Sequence, residues 1–178
     1  MRTIIGKSVP RVDALQKVTG RALFTDDIRI PGMLYAKLLR SPLPHARLKA
    51  IHTGGAESMP GVVAVLTARD FVGLRPYFGH ALKDRPILAI DKVRYIGEPI
   101  ACVAAEDEQT AVEALSAIQV EFEELPAVFS VEEALRDGAP LVHEQAYGQG
   151  GFHDVAQLES GRQDNICYRH FEETGDLA

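Results

Sequence analysis

The run "PIACVAA" at residues 99 to 105, followed at once by "EDEQTAVEALSAI" and "IQVEFEE", constrains the fold more than any other part of the chain. A continuous apolar run with small side chains predicts a strand buried on both faces. After it, Ala111, Leu115 and Ile118 share one helical stripe, with Gln109, Glu113 and Ser116 opposite. The third segment alternates, with Ile118, Val120 and Phe122 inward and Gln119, Glu121 and Glu123 outward. Strand, amphipathic helix and half-solvated strand must close into packed layers of sheet and helix. A strand-to-helix junction that holds phosphate needs glycines after the strand, so that backbone N–H groups face the anion. Here Gly97 precedes the strand and the helix opens on Glu106, Asp107 and Glu108. Those carboxylates suit the helix dipole and its free N–H groups, and they repel an anion. The junction reads as scaffold.

The remaining segments fit around this unit. Residues 1 to 32 carry turn chemistry (Pro10, Gly20, Pro31-Gly32) and little periodicity, which predicts extended arms. "MLYAKLLRS" (33 to 41) and "ARLKAIHT" (46 to 53) read as strands separated by the turn "SPLPH". In the second, Ala46, Leu48 and Ala50 alternate with Arg47, Lys49 and Ile51, leaving one face solvated. "GGAESMPG" predicts a short helical turn, and "VVAVLT" (62 to 67) a strand whose Thr67 caps the turn "ARDF". Residues 73 to 86, "GLRPYFGHALKDRP", read as a long surface loop, after which "ILAI" resumes as a strand. "SVEEALRDG" has the spacing of a capping box, Ser130 with Glu133, and predicts a helix ending at Gly138. "QAYGQGGFHDVAQLESGRQDN" is polar and Gly-rich without a period, and "ICYRHFEETGDLA" reads as one more strand.

Composition limits the functional classes. With 178 residues, 46% of them hydrophobic and 25% charged, the chain can build one globular core. No apolar run reaches membrane-spanning length, and the first 20 residues lack the features of a secretory leader. Cys102 and Cys167 form neither a metal pair nor a disulfide framework, which points to a reducing cytoplasm. A net charge of -6 argues against a generic nucleic-acid binder. The charge is also uneven: residues 1 to 50 hold 10 of the 19 Lys and Arg and only three of the 25 acids. Either this half docks an acidic partner, or solvated strand faces are basic in one half and acidic in the other.

No catalytic constellation emerges. His45, His52, His80, His143, His153 and His170 form no i, i+4 pair and read as surface or turn residues. Cys102, mid-strand among Val and Ala, reads as core packing. Ser8, Ser41 and Ser58 lack the surroundings of a hydrolase nucleophile. Asp26-Asp27 and Glu123-Glu124 are adjacent in sequence and need not meet over one substrate.

Five fragments in register carry a resemblance: "VPRVDALQKVTGRALFTDDI", "PGMLYAKLLRSPLPHARL", "PGVVAVLTARD", "VRYIGEPIACVAAEDEQTAVEAL" and "VEFEELPAVFSVEEAL". Together, with "DGAPLVHE" and "NICYRHFEETGD" after them, they resemble the N-terminal region of the molybdenum-cofactor-binding large subunit of molybdenum hydroxylases, the xanthine dehydrogenase, aldehyde oxidase and carbon monoxide dehydrogenase group. The resemblance implies an α+β fold, the α/β-hammerhead: a mixed sheet with a few short helices over residues 1–145. Residues 146–178 would then be a polar linker and the truncated start of the cofactor-binding domain. It implies a structural domain, inactive alone and packed against the cofactor domains of an oxidoreductase. Iron–sulfur clusters and FAD would sit on partner subunits or domains. No catalytic, cofactor-binding or metal residue transfers to this sequence, and no cofactor is expected on this chain. By position in the irregular loop, Tyr77 and Phe78 are the candidates to line the substrate funnel. The alternative is a stand-alone interaction module that has lost its catalytic half. A domain separated from its neighbours is expected to self-associate as a dimer or larger oligomer.

Overall fold

The structure, a computed structural model, describes residues 5–74, 77–79, 84–144, 164–166 and 172–175. Two compact units divide the chain, Met1–Met33 and Leu34–Ala178. In the first, the expected arm contains a helical turn, α1 (Ala14–Val18), and a 3₁₀ turn, Thr25–Asp27. Asp13 at the start of α1 bonds Arg11 (2.9 Å) and Lys17 (2.7 Å), whose cations hold its carboxyl below the ordinary range.

Among the described residues, the second unit is built on three antiparallel sheets. The first joins β1 (Tyr35–Arg40) and β3 (Val62–Thr67) to the two sides of β7 (Pro99–Ala105). The second places β2 (Ala46–His52) between β6 (Lys92–Val93) and β8 (Gln119–Glu124). A two-stranded ribbon pairs β4 (Tyr77–Phe78) with β5 (Arg85–Pro86). Short helices α2 (Gly54–Glu57), α3 (Glu108–Ser116) and α4 (Val131–Ala134) complete the unit.

The core lies between the two larger sheets and α3. Ala101 and Val103 of β7 meet Ala56, Ala114 and Ile118, while Ile100 joins Ala46, Ala89 and Val93 in a second cluster. Ile51 and Val120 touch both clusters. Alanines at these contacts keep the helices close to the sheet; Ala111 and Ala114 are fully buried. Asp107 caps α3 as the acidic entry predicts, accepting bonds from the Thr110 amide (2.9 Å) and hydroxyl (2.6 Å). Those bonds lower its pKa.

Three bulges interrupt the described ladders, and the one in β2 corrects the alternation read from sequence. Lys49 has no opposite residue in β8, because Leu48 pairs with Phe122 and Ala50 with Glu121. The extra residue shifts the strand's phase, so Ile51, assigned to the solvated face, turns into the core. Ile100 is skipped in the pairing with β1, which lets Ile100 and Ala101 both be buried. Val63 is skipped in the pairing with β7 and stands 56% exposed.

Other expectations shift for local reasons. "ILAI" forms no ladder: Leu88 and Ala89 are buried while Ile87 and Ile90 face out, an out-in-in-out order that a strand cannot produce. The "SVEEALRDG" helix stops at Ala134, and Gly138 (φ +76°) serves the following turn. A single helical turn gains too few hydrogen bonds to propagate without packing. Its cap is as expected at Ser130, whose Oγ accepts from the Glu133 amide (3.1 Å). Glu133 reaches back one residue further than a capping box requires, to Phe129 N (3.0 Å). The strand expected in "ICYRHFEETGDLA" and the Gly-rich stretch before it fall largely outside the described residues.

Candidate functional site

Two features of the second unit are candidates for function, the outer face of the first sheet and a polar cleft beside the ribbon.

The register of the first sheet sorts its side chains. Tyr35, Lys37 and Leu39 lie opposite Ala105, Val103 and Ala101, on the face that α3 covers. On the other face Ala36, Ala104 and Ala64 form one row, and Leu38, Cys102 and Leu66 the next. Leu38 and Leu66 are each 37% exposed. Cys102 was expected in a strand covered on both sides; instead it sits half-covered on this outer face, where partial burial raises its thiol pKa. This face is apolar and only partly buried.

The second sheet presents the opposite surface. Its outer residues pair across strands: Lys49 with Glu123 (3.0 Å), Arg47 with Glu123 (3.7 Å) and His52 with Glu121 (3.0 Å). Lys37 bonds Glu108 at the start of α3, and Arg40 donates to the Gly97 carbonyl (2.9 Å). Lys37, Arg47 and Lys49 of the basic half thus meet acids of the later half within the fold.

The cleft, of about 460 Å³, is lined by Asp84, Arg85, Tyr95, Glu98, Val142 and His143, among others. Glu98 is 3% exposed. Burial raises its pKa against the opposing effect of the Arg94 amide, which donates to its Oε2. His143 Nε2 lies 3.5 Å from Asp84. Asp84 and His143 pair with each other, the Arg94 amide bonds Glu98, and the described lining contains no Ser, Thr or Cys to serve as a nucleophile for covalent catalysis. Among the described residues no trio of His, Cys, Asp or Glu could hold a metal ion, so these residues do not fit a metal centre.

Tyr77 and Phe78 lie on the ribbon next to this cleft, opposite Pro86 and Arg85. Tyr77 is half-buried and Phe78 is 52% exposed. His80, His153, His170 and Cys167 lie outside the described residues. Ser41 is buried and bonded within its own turn, its Oγ donating to Leu43 O (2.8 Å). His45 departs from its expected surface position. It is 9% exposed, with Nδ1 2.6 Å from Pro126 O. Its Nε2 has no partner among the described residues and lies beside a cavity of about 20 Å³, room for one water. Sequence reasoning missed Glu98 and Lys92 as buried charges. The one local signal for Glu98 is its place between Gly97 and Pro99, at the entry to an all-apolar strand.

Comparison with known proteins agrees with this architecture. Residues 19–126 match the family model described as aldehyde oxidase and xanthine dehydrogenase, a/b hammerhead domain. The chain is 44% identical over 168 residues to a probable xanthine dehydrogenase subunit of Bacillus subtilis, covering 94% of this chain and 22% of that protein. It is 42% identical over 161 residues to the nicotinate dehydrogenase large molybdopterin subunit of Eubacterium barkeri, covering 90% and 37% respectively. The crystal structure of the aldehyde oxidoreductase from Desulfovibrio desulfuricans superposes with a TM-score of 0.72 at 33% identity, over 81% of this chain and 18% of that one. The chain therefore spans only a minor part of the length of these relatives. No described helix is long and apolar enough to cross a membrane. By fold and by sequence, the chain belongs to the aldehyde oxidase and xanthine dehydrogenase family, as a domain of a molybdenum hydroxylase large subunit.

Proposed function

We propose that this chain is the structural hammerhead domain of a molybdenum hydroxylase, packed through the outer face of its first sheet against the cofactor-bearing part of the same large subunit. The observation that carries the reading is that open face. Ala36, Leu38, Ala64, Leu66, Cys102 and Ala104 stand together on one side of a sheet whose other side is core. An apolar sheet face is kept where a neighbour covers it. The parent enzyme would hydroxylate an electron-poor carbon with oxygen from water and pass electrons through iron–sulfur clusters to a flavin on partner subunits or domains. The molybdenum cofactor would be held outside this chain, which turns over no substrate alone. The ribbon with Tyr77 and Phe78 would form part of the wall along which substrate reaches the cofactor domains.

The purified chain tests this directly. It should bind a hydrophobic dye and self-associate as concentration rises. The double variant Leu38→Lys with Leu66→Lys should lose both properties while keeping its circular dichroism. Stoichiometric molybdenum in the purified chain, or turnover by it, would overturn the reading.

A further inference from the structure

Among the described residues, Asn165 makes three directional contacts through its side chain, and each reaches distant backbone. Its Oδ1 accepts from Val142 N (2.9 Å), while Nδ2 donates to Pro140 O (2.9 Å) and Ala134 O (3.1 Å). Ala134 is the last residue of α4, and a carbonyl at a helix end has no partner within the helix. Val142 is held from the other side, because its carbonyl accepts from Arg94 Nε (3.1 Å) and the neighbouring Leu141 carbonyl lies 3.4 Å from Lys92 Nζ. Both cations are almost wholly buried, with side chains 7% and 6% exposed. The segment 140–142 is therefore fixed to the body. With the end of α4 it presents one N–H and two carbonyls outward.

That set is selective. One donor and two acceptors on the body require one acceptor and two donors on the ligand, and only a primary amide carries both on one short side chain. Aspartate would set a charged oxygen against two carbonyls, and alanine would leave all three groups open. The turn that presents Asn165 is closed locally, with Asp164 Oδ1 accepting from Ile166 N (3.0 Å).

We infer that the end of α4 and residues 140–142 form a docking site for a primary-amide side chain, that its occupant is Asn165 of this chain, and that this contact holds the turn 164–166 against the body. The inference does not rest on the proposed packing face, which lies on other elements.

Nuclear magnetic resonance on the labelled full chain tests it. The wild-type Asn165 side-chain amide protons should show contacts to Ala134 and Pro140 and exchange slowly with water. Asn165→Ala and Asn165→Asp should each raise exchange of the Val142 amide roughly tenfold or more. The Val103 amide in β7 should not change, and Asn165→Gln should show the smaller effect of a retained amide. Unchanged Val142 exchange in both variants would overturn the inference. Should a variant fail to fold, free exchange of the wild-type Asn165 amide protons would overturn it equally.

Discussion

The two larger sheets share one core but end in opposite surfaces. Beyond its inner face the second sheet carries Arg47, Lys49, His52, Glu121 and Glu123, paired across strands and open to water. The first carries alanines, two leucines and a half-covered cysteine on its outer face. Cross-strand ion pairs of this exposed kind contribute little to stability, but they keep a face soluble and finished. An apolar face is finished only by a neighbour. One outer face is thus charged and paired, and the other apolar and partly exposed.

Deleting the same kind of bulk from a shared and an open position tests this contrast most strongly. Ile100→Ala, at a fully buried site between the sheets, should cost about 2–5 kcal/mol in urea unfolding. Leu66→Ala, on the open face where no cavity forms, should cost roughly 1 kcal/mol. Equal losses would show that the outer face is already covered.

A smaller effect, of opposite sign, is expected at Glu98. Burial raises its folded pKa above the ordinary 4.5, so the folded state binds this proton more tightly than the unfolded chain. The resulting stability is present at pH below the unfolded value and is lost as pH rises through the folded one. Above the folded value the charged carboxylate is therefore a cost. Glu98→Gln keeps an acceptor for the Arg94 amide and should raise the urea midpoint at neutral pH, with the gain shrinking as the pH falls through the folded value towards the unfolded one. A loss at pH 7 would show that the charge itself is needed.

The smallest effect belongs to the second sheet. Glu123 is held below its ordinary pKa by the bond and field of Lys49 and then by Arg47. A depressed carboxylate stabilises above its unfolded pKa and loses that contribution as pH falls through the folded value. On an exposed face, solvent screens it. Lys49→Met should leave the midpoint unmoved at neutral pH, and a measurable loss that vanishes in high salt would assign the pairs a larger role.

Much of the fold was legible in local pattern. The strict alternation of 118–123, the acidic entry to α3 and the caps at Thr67 and Ser130 each sit where their spacing predicts. Their causes are local, since periodicity and side-chain-to-backbone bonds act within a few residues. The candidate surfaces were less legible. Nothing in "ARLKAIHT" announces the bulge at Lys49, and nothing in "SPLPH" announces that His45 bonds a carbonyl 81 positions later.

Most element types, their caps and the family follow from the order of residues alone. The phase of the strands after each bulge, the pairing of Lys37, Arg47 and Lys49 with later acids, and the partly exposed face of β7 were settled only in three dimensions. Register is a relation between strands far apart in the chain. One skipped residue exchanges inside for outside, and only the partner strand records the skip.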